Sequence, residues 1–139
     1  MEYQTEDQEV QEANRIALEY FRGITKTEEE AQEMMGRLAR VLQDDGAKLV
    51  HLGNVLFLIL VRSEGVVEVH TIGEEKRPRD MANDFLELSK YLKNIGVKTA
   101  YTYAEDERFK KLAKMIDLPI KQYKADYEGM KLNVFVVEL

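Results

Sequence analysis

Apolar residues recur at helical intervals through the first forty positions. Val10, Ala13, Ala17 and Tyr20 with Phe21 line one face of a helix that runs up to Gly23, and Thr5 and Gln8 have capping-box spacing at its start. Thr27 and Glu30 repeat the box. Ala31, Met34, Leu38, Val41 and Leu42 then form a stripe that Gly46 is expected to end, so a second amphipathic helix follows, its acids in the first turn where the helix dipole favours them.

The period changes after Gly46. Lys48 to Leu52, Val55 to Arg62 and Val66 to Ile72 are short apolar runs parted by Gly53-Asn54 and by Ser63-Glu64-Gly65, which predicts a three-stranded antiparallel meander. Val55 to Val61 has no alternation, so that strand is expected to be covered on both faces. The third strand does alternate: Val67, Val69 and Thr71 take one face, Glu68, His70 and Ile72 the other.

Met81, Phe85, Leu88, Leu92 and Ile95, closed by Gly96, predict a third helix. Val97 to Tyr103 reads as a strand. Asp106 has the character of an N-cap for a helix carrying Phe109, Leu112, Ala113 and Ile116, which ends before Pro119. Ile120 to Tyr127 and Lys131 to Leu139 close the chain as a hairpin about Glu128-Gly129. The expected class is α/β (α+β), in the order α-α-β-β-β-α-β-α-β-β, with a mixed central sheet and helices on both faces. Residues 1–139 form one domain, an acidic helical part over 1–45 and a sheet with two helices over 46–139.

Composition narrows the function. A chain of 139 residues, 45% hydrophobic and 33% charged with no cysteine, supports a full apolar core without disulfide or metal staples. The net charge is −6, concentrated in residues 1–45, where 12 acids face 5 bases. Nucleic acid and anionic membrane surfaces, which need a positive field, are therefore not expected partners. The longest apolar stretch, Val55 to Val61, is far too short to span a bilayer, and the acidic start is unlike a signal peptide, so a cytoplasmic protein is expected. Two histidines and no cysteine argue against a metal site, because Glu68 and His70 supply only two ligands. Ser63 and Ser89 have no nucleophile-elbow context.

The element order, with a long meander feeding a helix that crosses over to a parallel strand, resembles the GNAT N-acetyltransferase fold over nearly the whole chain. In that family a strand ends in a turn of pattern R/Q-x-x-G-x-G/A that opens a helix; here Ile72 ends the strand and Arg77-Pro78-Arg79-Asp80-Met81-Ala82 opens the helix. Asp106, with Asp117-Leu118 after the next helix, stands where the family often has Asn and a Gly-Phe pair. The resemblance implies acetyl-CoA as cofactor, with Ile72, Arg77, Arg79, Asp80, Met81, Ala82 and Asp106 as the positions that bind it. It also implies that the strand bearing Glu68 and His70 lines the acceptor site and supplies a general base.

An amine nucleophile must be deprotonated before it attacks a thioester, and imidazole is the side chain that ordinarily titrates nearest neutrality, whereas Glu68 would need burial to raise its pKa. The same pair also reads as two solvated residues on a sheet face. The family's leaving-group Tyr is replaced by Ala113 at the corresponding spacing, which leaves Tyr103 or Tyr101 as substitutes. Asp80 occupies the first glycine position of the phosphate turn, where it repels phosphate and can itself cap the helix. The basic run Lys76-Arg77-Arg79 suits CoA phosphate, another anion, or a solvated loop.

Two functions follow. One is a divergent GNAT-like protein with degraded acyl-CoA chemistry that binds a protein partner through a surface such as the acidic helices. This chain resembles small bacteriophage-encoded proteins of that kind, which implies a structural role in the virion or a place in the host cytoplasm. The alternative is an active acyl-CoA-dependent N-acetyltransferase.

Overall fold

The computed structural model describes residues 6–104, 107–116 and 118–139. Its elements follow the expected order: α1 (Glu6–Ile24), α2 (Glu28–Val41), β1 (Ala47–Leu52), β2 (Val55–Ser63), β3 (Val66–Ile72), α3 (Pro78–Asn94), β4 (Thr99–Ala104), α4 (Glu107–Met115), β5 (Ile120–Tyr127) and β6 (Met130–Glu138). They build a six-stranded mixed sheet in the order β1-β2-β3-β4-β6-β5.

The local signals act largely as read. Thr27 caps α2 by accepting the Glu30 N–H at 3.1 Å. Gly96 follows the α3 C-cap residue Ile95 with φ of 94°, the left-handed conformation that closes a helix most cheaply at glycine. Several boundaries differ: the strand expected from Val97 begins at Thr99, and two helix ends move. Helix α1 continues past Gly23 to Ile24, and α2 stops at Val41 rather than at Gly46, whose N–H is taken by the Asp44 carboxylate at 2.8 Å in a local turn. Thr5, Asp106 and Asp117 lie outside the described residues.

Strand β2 is the core of the sheet. Val55, Leu56, Phe57, Leu58 and Ile59 are all buried, because alternate side chains meet different helices. Val55, Phe57 and Ile59 pack with Val67, Val69, Leu88 and Leu92 under α3. Leu56, Leu58 and Ile72 pack with Ile16, Phe21 and Leu38 under α1 and α2. Full burial of each large apolar side chain contributes about 1.5–3 kcal/mol, so the absence of alternation in β2 reflects stabilisation from both sides.

The sheet parts in its middle. Strands β3 and β4 run parallel and pair only at Val66–Thr99, Val67–Ala100 and Glu68–Tyr101. Beyond that point β3 stays on β2, through His70–Leu58 and Ile72–Leu56, while β4 follows β6, through Thr102–Phe135 and Tyr103–Val134. Among the described residues no strand pairing joins the two strands past Glu68 and Tyr101. No described helix is long and apolar enough to cross a membrane.

Candidate functional site

Glu68 stands at the last β3–β4 pair, on the face of the sheet opposite α3. It is 6% exposed, the one charged residue among the described residues that is buried. An ionised carboxylate in such a position is tolerable only when paired and hydrogen-bonded. Two partners satisfy it: Arg62 Nη2 donates to Glu68 Oε2 at 2.8 Å, and His70 Nε2 lies 2.7 Å from the same oxygen.

Arg62 reaches this position because the β2–β3 register shifts between Val61 and Ser63. Such a bulge leaves an extra residue without a paired neighbour and re-aims its side chain. Burial pushes the Glu68 carboxyl upward, but its hydrogen bonds to Arg62 and His70 outweigh that and hold it below the ordinary glutamate value. Glu68 is therefore a carboxylate at neutral pH, and a carboxylate only accepts. In its neutral form the half-exposed His70 ring would carry its proton on Nε2, facing Glu68, with the Nδ1 lone pair directed away from it.

Tyr101 and Tyr103 extend the cluster along β4. Their rings meet edge to face with centroids 5.6 Å apart. Partial burial, the neighbouring Tyr101 and the charge of Glu68 push the Tyr103 phenol up to about 12, so it stays protonated at neutral pH. Thus Glu68, His70 and Tyr103 come together where β3 and β4 separate, joined by Arg62 and Tyr101. Arg62 carries no signal of this role in the sequence, since the bulge that aims it arises from pairing with another strand.

The opposite side of the split holds a narrow apolar hollow of only about 50 Å³, lined by Val69, Phe85, Leu88, Thr102, Ile116 and Phe135. It lies between α3 and the segment that follows α4. The remaining sequence-derived positions cluster at the start of α3 but differ in what their side chains do. Ile72 and Ala82 are buried and Met81 packs against the α3 core, so only their backbone is available to a ligand. Arg77 is the N-cap residue with Pro78 following, and no side chain caps the helix. Asp80 therefore does not occupy the cap as expected: it sits in the first turn, with its N–H and that of Met81 directed to the Arg77 carbonyl at 3.1 and 3.2 Å. Arg77 and Arg79 are exposed and have no ion-pair partner among the described residues, whereas Lys76 faces a separate cleft toward Arg15, Glu19 and Tyr20.

The loop before α3 is tied to the β1–β2 turn. Glu75 Oε1 accepts the Asn54 N–H at 2.9 Å, and Glu75 also meets Asp84 of α3. Gly73, with φ of 106°, packs so closely that an added Cβ would stand 2.8 Å from the Asn54 carbonyl oxygen. The start of α3, with no side-chain cap and two exposed guanidinium groups, suits an anion, although the N–H groups of Asp80 and Met81 are already directed to the Arg77 carbonyl. Asp80 in the first turn and Glu74 and Glu75 in the preceding loop oppose an anion there. No set of three potential metal-ligating side chains occurs among the described residues.

No protein-family model matches the sequence, and no curated protein does. Solved structures do share the fold. A probable acetyltransferase of the GNAT family from Chromobacterium violaceum ATCC 12472 superposes with a TM-score of 0.63 at 11% identity, over 92% of this chain and 82% of that one. A spermidine N-acetyltransferase from Vibrio cholerae gives 0.61 at 12% identity, over 93% and 90% of the two chains. The PaiA N-acetyltransferase of Thermoplasma acidophilum, solved with coenzyme A, gives 0.60 at 12% identity, over 94% and 93%. The chain thus has a GNAT-like fold, the mixed sheet with flanking helices that its element order implied.

Proposed function

We propose that this protein is an acyl-CoA-dependent N-acyltransferase whose proton chemistry is carried by the Glu68–His70 pair. One observation carries the reading: the buried Glu68 carboxyl lies within hydrogen-bond distance of both a half-exposed imidazole and the Arg62 guanidinium at the point where β3 and β4 part. A solvated pair on a sheet face needs neither the burial of Glu68 nor the clamp by Arg62. The fold is shared with acetyltransferases, one of them solved with coenzyme A, which supports the same reading.

Acyl-CoA supplies an activated thioester carbonyl. Arg77, Arg79 and the first turn of α3 would hold its phosphates. His70 Nδ1 accepts one proton from the acceptor ammonium, freeing the nitrogen lone pair to attack the thioester carbonyl, and the second nitrogen proton leaves with the departing thiolate, as thiol, when the carbon–sulfur bond breaks. The charge that His70 gains is stabilised by Glu68, and Arg62 keeps Glu68 ionised while this happens. Tyr103 keeps its proton and donates a hydrogen bond where negative charge develops as the carbon–sulfur bond breaks.

A second reading rests on Asp80, whose negative charge at the start of α3 disfavours a diphosphate: a GNAT-fold protein that has lost acyl-CoA chemistry and works by binding a protein partner. Thermal unfolding with about 1 mM acetyl-CoA separates the two, since a dissociation constant near 10 μM adds about 2.7 kcal/mol and several degrees. A shift, together with amine-dependent thiol release that falls about 10²-fold or more in His70→Ala, supports the enzyme. A cooperative transition that acetyl-CoA leaves unmoved removes it in favour of the binding protein.

A further inference from the structure

Strand β6 is apolar on both faces. Phe135 points to the α3 side and is buried, while Met130, Leu132, Val134 and Val136 alternate onto the face that bears Glu68 and His70. Helices α1 and α2 cover that face over β2 and β3, and no described helix packs into either core cluster from the β4, β6 and β5 side of it. Strand register places Tyr103, Val134 and Tyr123 side by side in one row across β4, β6 and β5. Neighbouring strands are about 4.8 Å apart, so the two tyrosines flank Val134 across about 10 Å. Tyr103 is 42% and Tyr123 53% exposed, which leaves an aromatic-edged apolar floor open beside the catalytic cluster.

Resting on the acyltransferase reading, we propose that the acceptor is a monoamine carried on an apolar or aromatic body, which lies along the Tyr103–Val134–Tyr123 row while its nitrogen reaches His70. The row is continuous with the cluster through Tyr101, which pairs with Glu68 on one side and with Val136 on the other. Charge selects against polyamines. Among the described residues, the positions that flank the row on its face are Tyr101, Leu132, Val136, Lys121 and Ala125, none of them a carboxylate, and Glu68 beside Tyr101 is already bonded to Arg62. Lys121, paired with Val136, adds a repelling charge. The tyrosine faces attract one ammonium group and cover an aromatic body.

The experiment uses the full chain with acetyl-CoA and follows thiol release with phenethylamine, spermidine and ethanolamine as acceptors. Phenethylamine is expected to exceed both others by at least about tenfold in kcat/KM. Tyr123→Ala is expected to raise the phenethylamine KM about tenfold with kcat within about twofold, and Tyr123→Phe to restore it. Preference for spermidine, or an unchanged KM in Tyr123→Ala, overturns the acceptor assignment while leaving the acyltransferase reading intact. If no amine supports thiol release, that reading fails by itself, and calorimetric titration of phenethylamine then decides the row: binding lost in Tyr123→Ala supports it as an amine site, and no binding overturns it. Sedimentation showing a dimer that Val134→Lys dissociates, with phenethylamine excluded from it, assigns the floor to a second copy and overturns the proposal.

Discussion

Asp84 on α3 and Glu75 in the loop before it face each other as two carboxyl groups joined by a hydrogen bond. The Asp84 Oδ2 atom is buried and no N–H or hydroxyl reaches it. The arrangement is satisfied when Asp84 carries a proton and donates it to Glu75, whose Oε1 also takes the Asn54 N–H. Burial and the charges of Glu75 and Asp80 raise Asp84 from 3.8 to about 7, while those hydrogen bonds lower Glu75 from 4.5.

Stability is expected to peak in acidic solution. A raised Asp84 contributes fully below its unfolded value of 3.8 and loses that contribution as pH rises to about 7. A lowered Glu75 acts oppositely, contributing above 4.5 and losing it as pH falls. The pair is therefore most favourable near about pH 4–4.5, with one shared proton, and weakens as pH rises toward 7. Both groups are partly exposed, so solvent screening limits the effect to about 1–2 kcal/mol. Thermal unfolding should show the midpoint falling by a few degrees between pH 5.5 and 8.5, and Asp84→Asn should flatten that profile because its amide donates to Glu75 at every pH.

Arg62 is expected to control the ionisation of Glu68. Arg62→Met removes one of the two hydrogen-bond donors and the nearest permanent charge, leaving burial to push the carboxyl upward. A carboxyl-carbon NMR titration should place Glu68 below the ordinary range in the parent protein and move it up in the variant. An unmoved titration would mean that His70 alone sustains the charge.

Gly73 is expected to be intolerant of a side chain. In Gly73→Ala the residue is held at φ of 106° and its Cβ meets the Asn54 carbonyl oxygen at 2.8 Å and Ile16 Cγ2 at 3.0 Å. Backbone strain of this kind costs about 1–3 kcal/mol. Urea unfolding should register that loss, whereas Gly23→Ala, where an added Cβ meets nothing within 4 Å, should be neutral or stabilising.

Charge at the start of α3 is expected to decide acyl-CoA affinity. Replacing Arg79 by Glu removes an exposed guanidinium and leaves Asp80 unopposed beside it, which should weaken acetyl-CoA binding about tenfold or more with the melting temperature of the free protein nearly unchanged. Asp80→Gly should act in the opposite direction on affinity. Calorimetric titration of acetyl-CoA into the three proteins checks both.

Much of the architecture was legible because it depends on periods. The 3.6-residue stripes of α1, α2 and α3, the unbroken run at Val55 to Val61 and the turn residues Gly53-Asn54 each report a local preference that the tertiary structure obeys. The alternation of β3 also told correctly that Glu68 and His70 share a face. The capping role of Asp80 was read from residue type alone, and failed because Arg77 begins the helix one turn earlier than a cap at Asp80 requires.

The sequence by itself determined the elements, their order and the face each strand turns to the core, since those follow from hydrophobic spacing along one segment at a time. Only the tertiary structure decided that Arg62 leaves the β2 ladder to clamp Glu68, that the pairing of β3 and β4 stops at Glu68 and Tyr101, and that Glu75 meets Asp84. Each of these joins residues on different elements. Strand register, a bulge and the burial of a charge are set by what lies across the sheet, and no single segment records its neighbour.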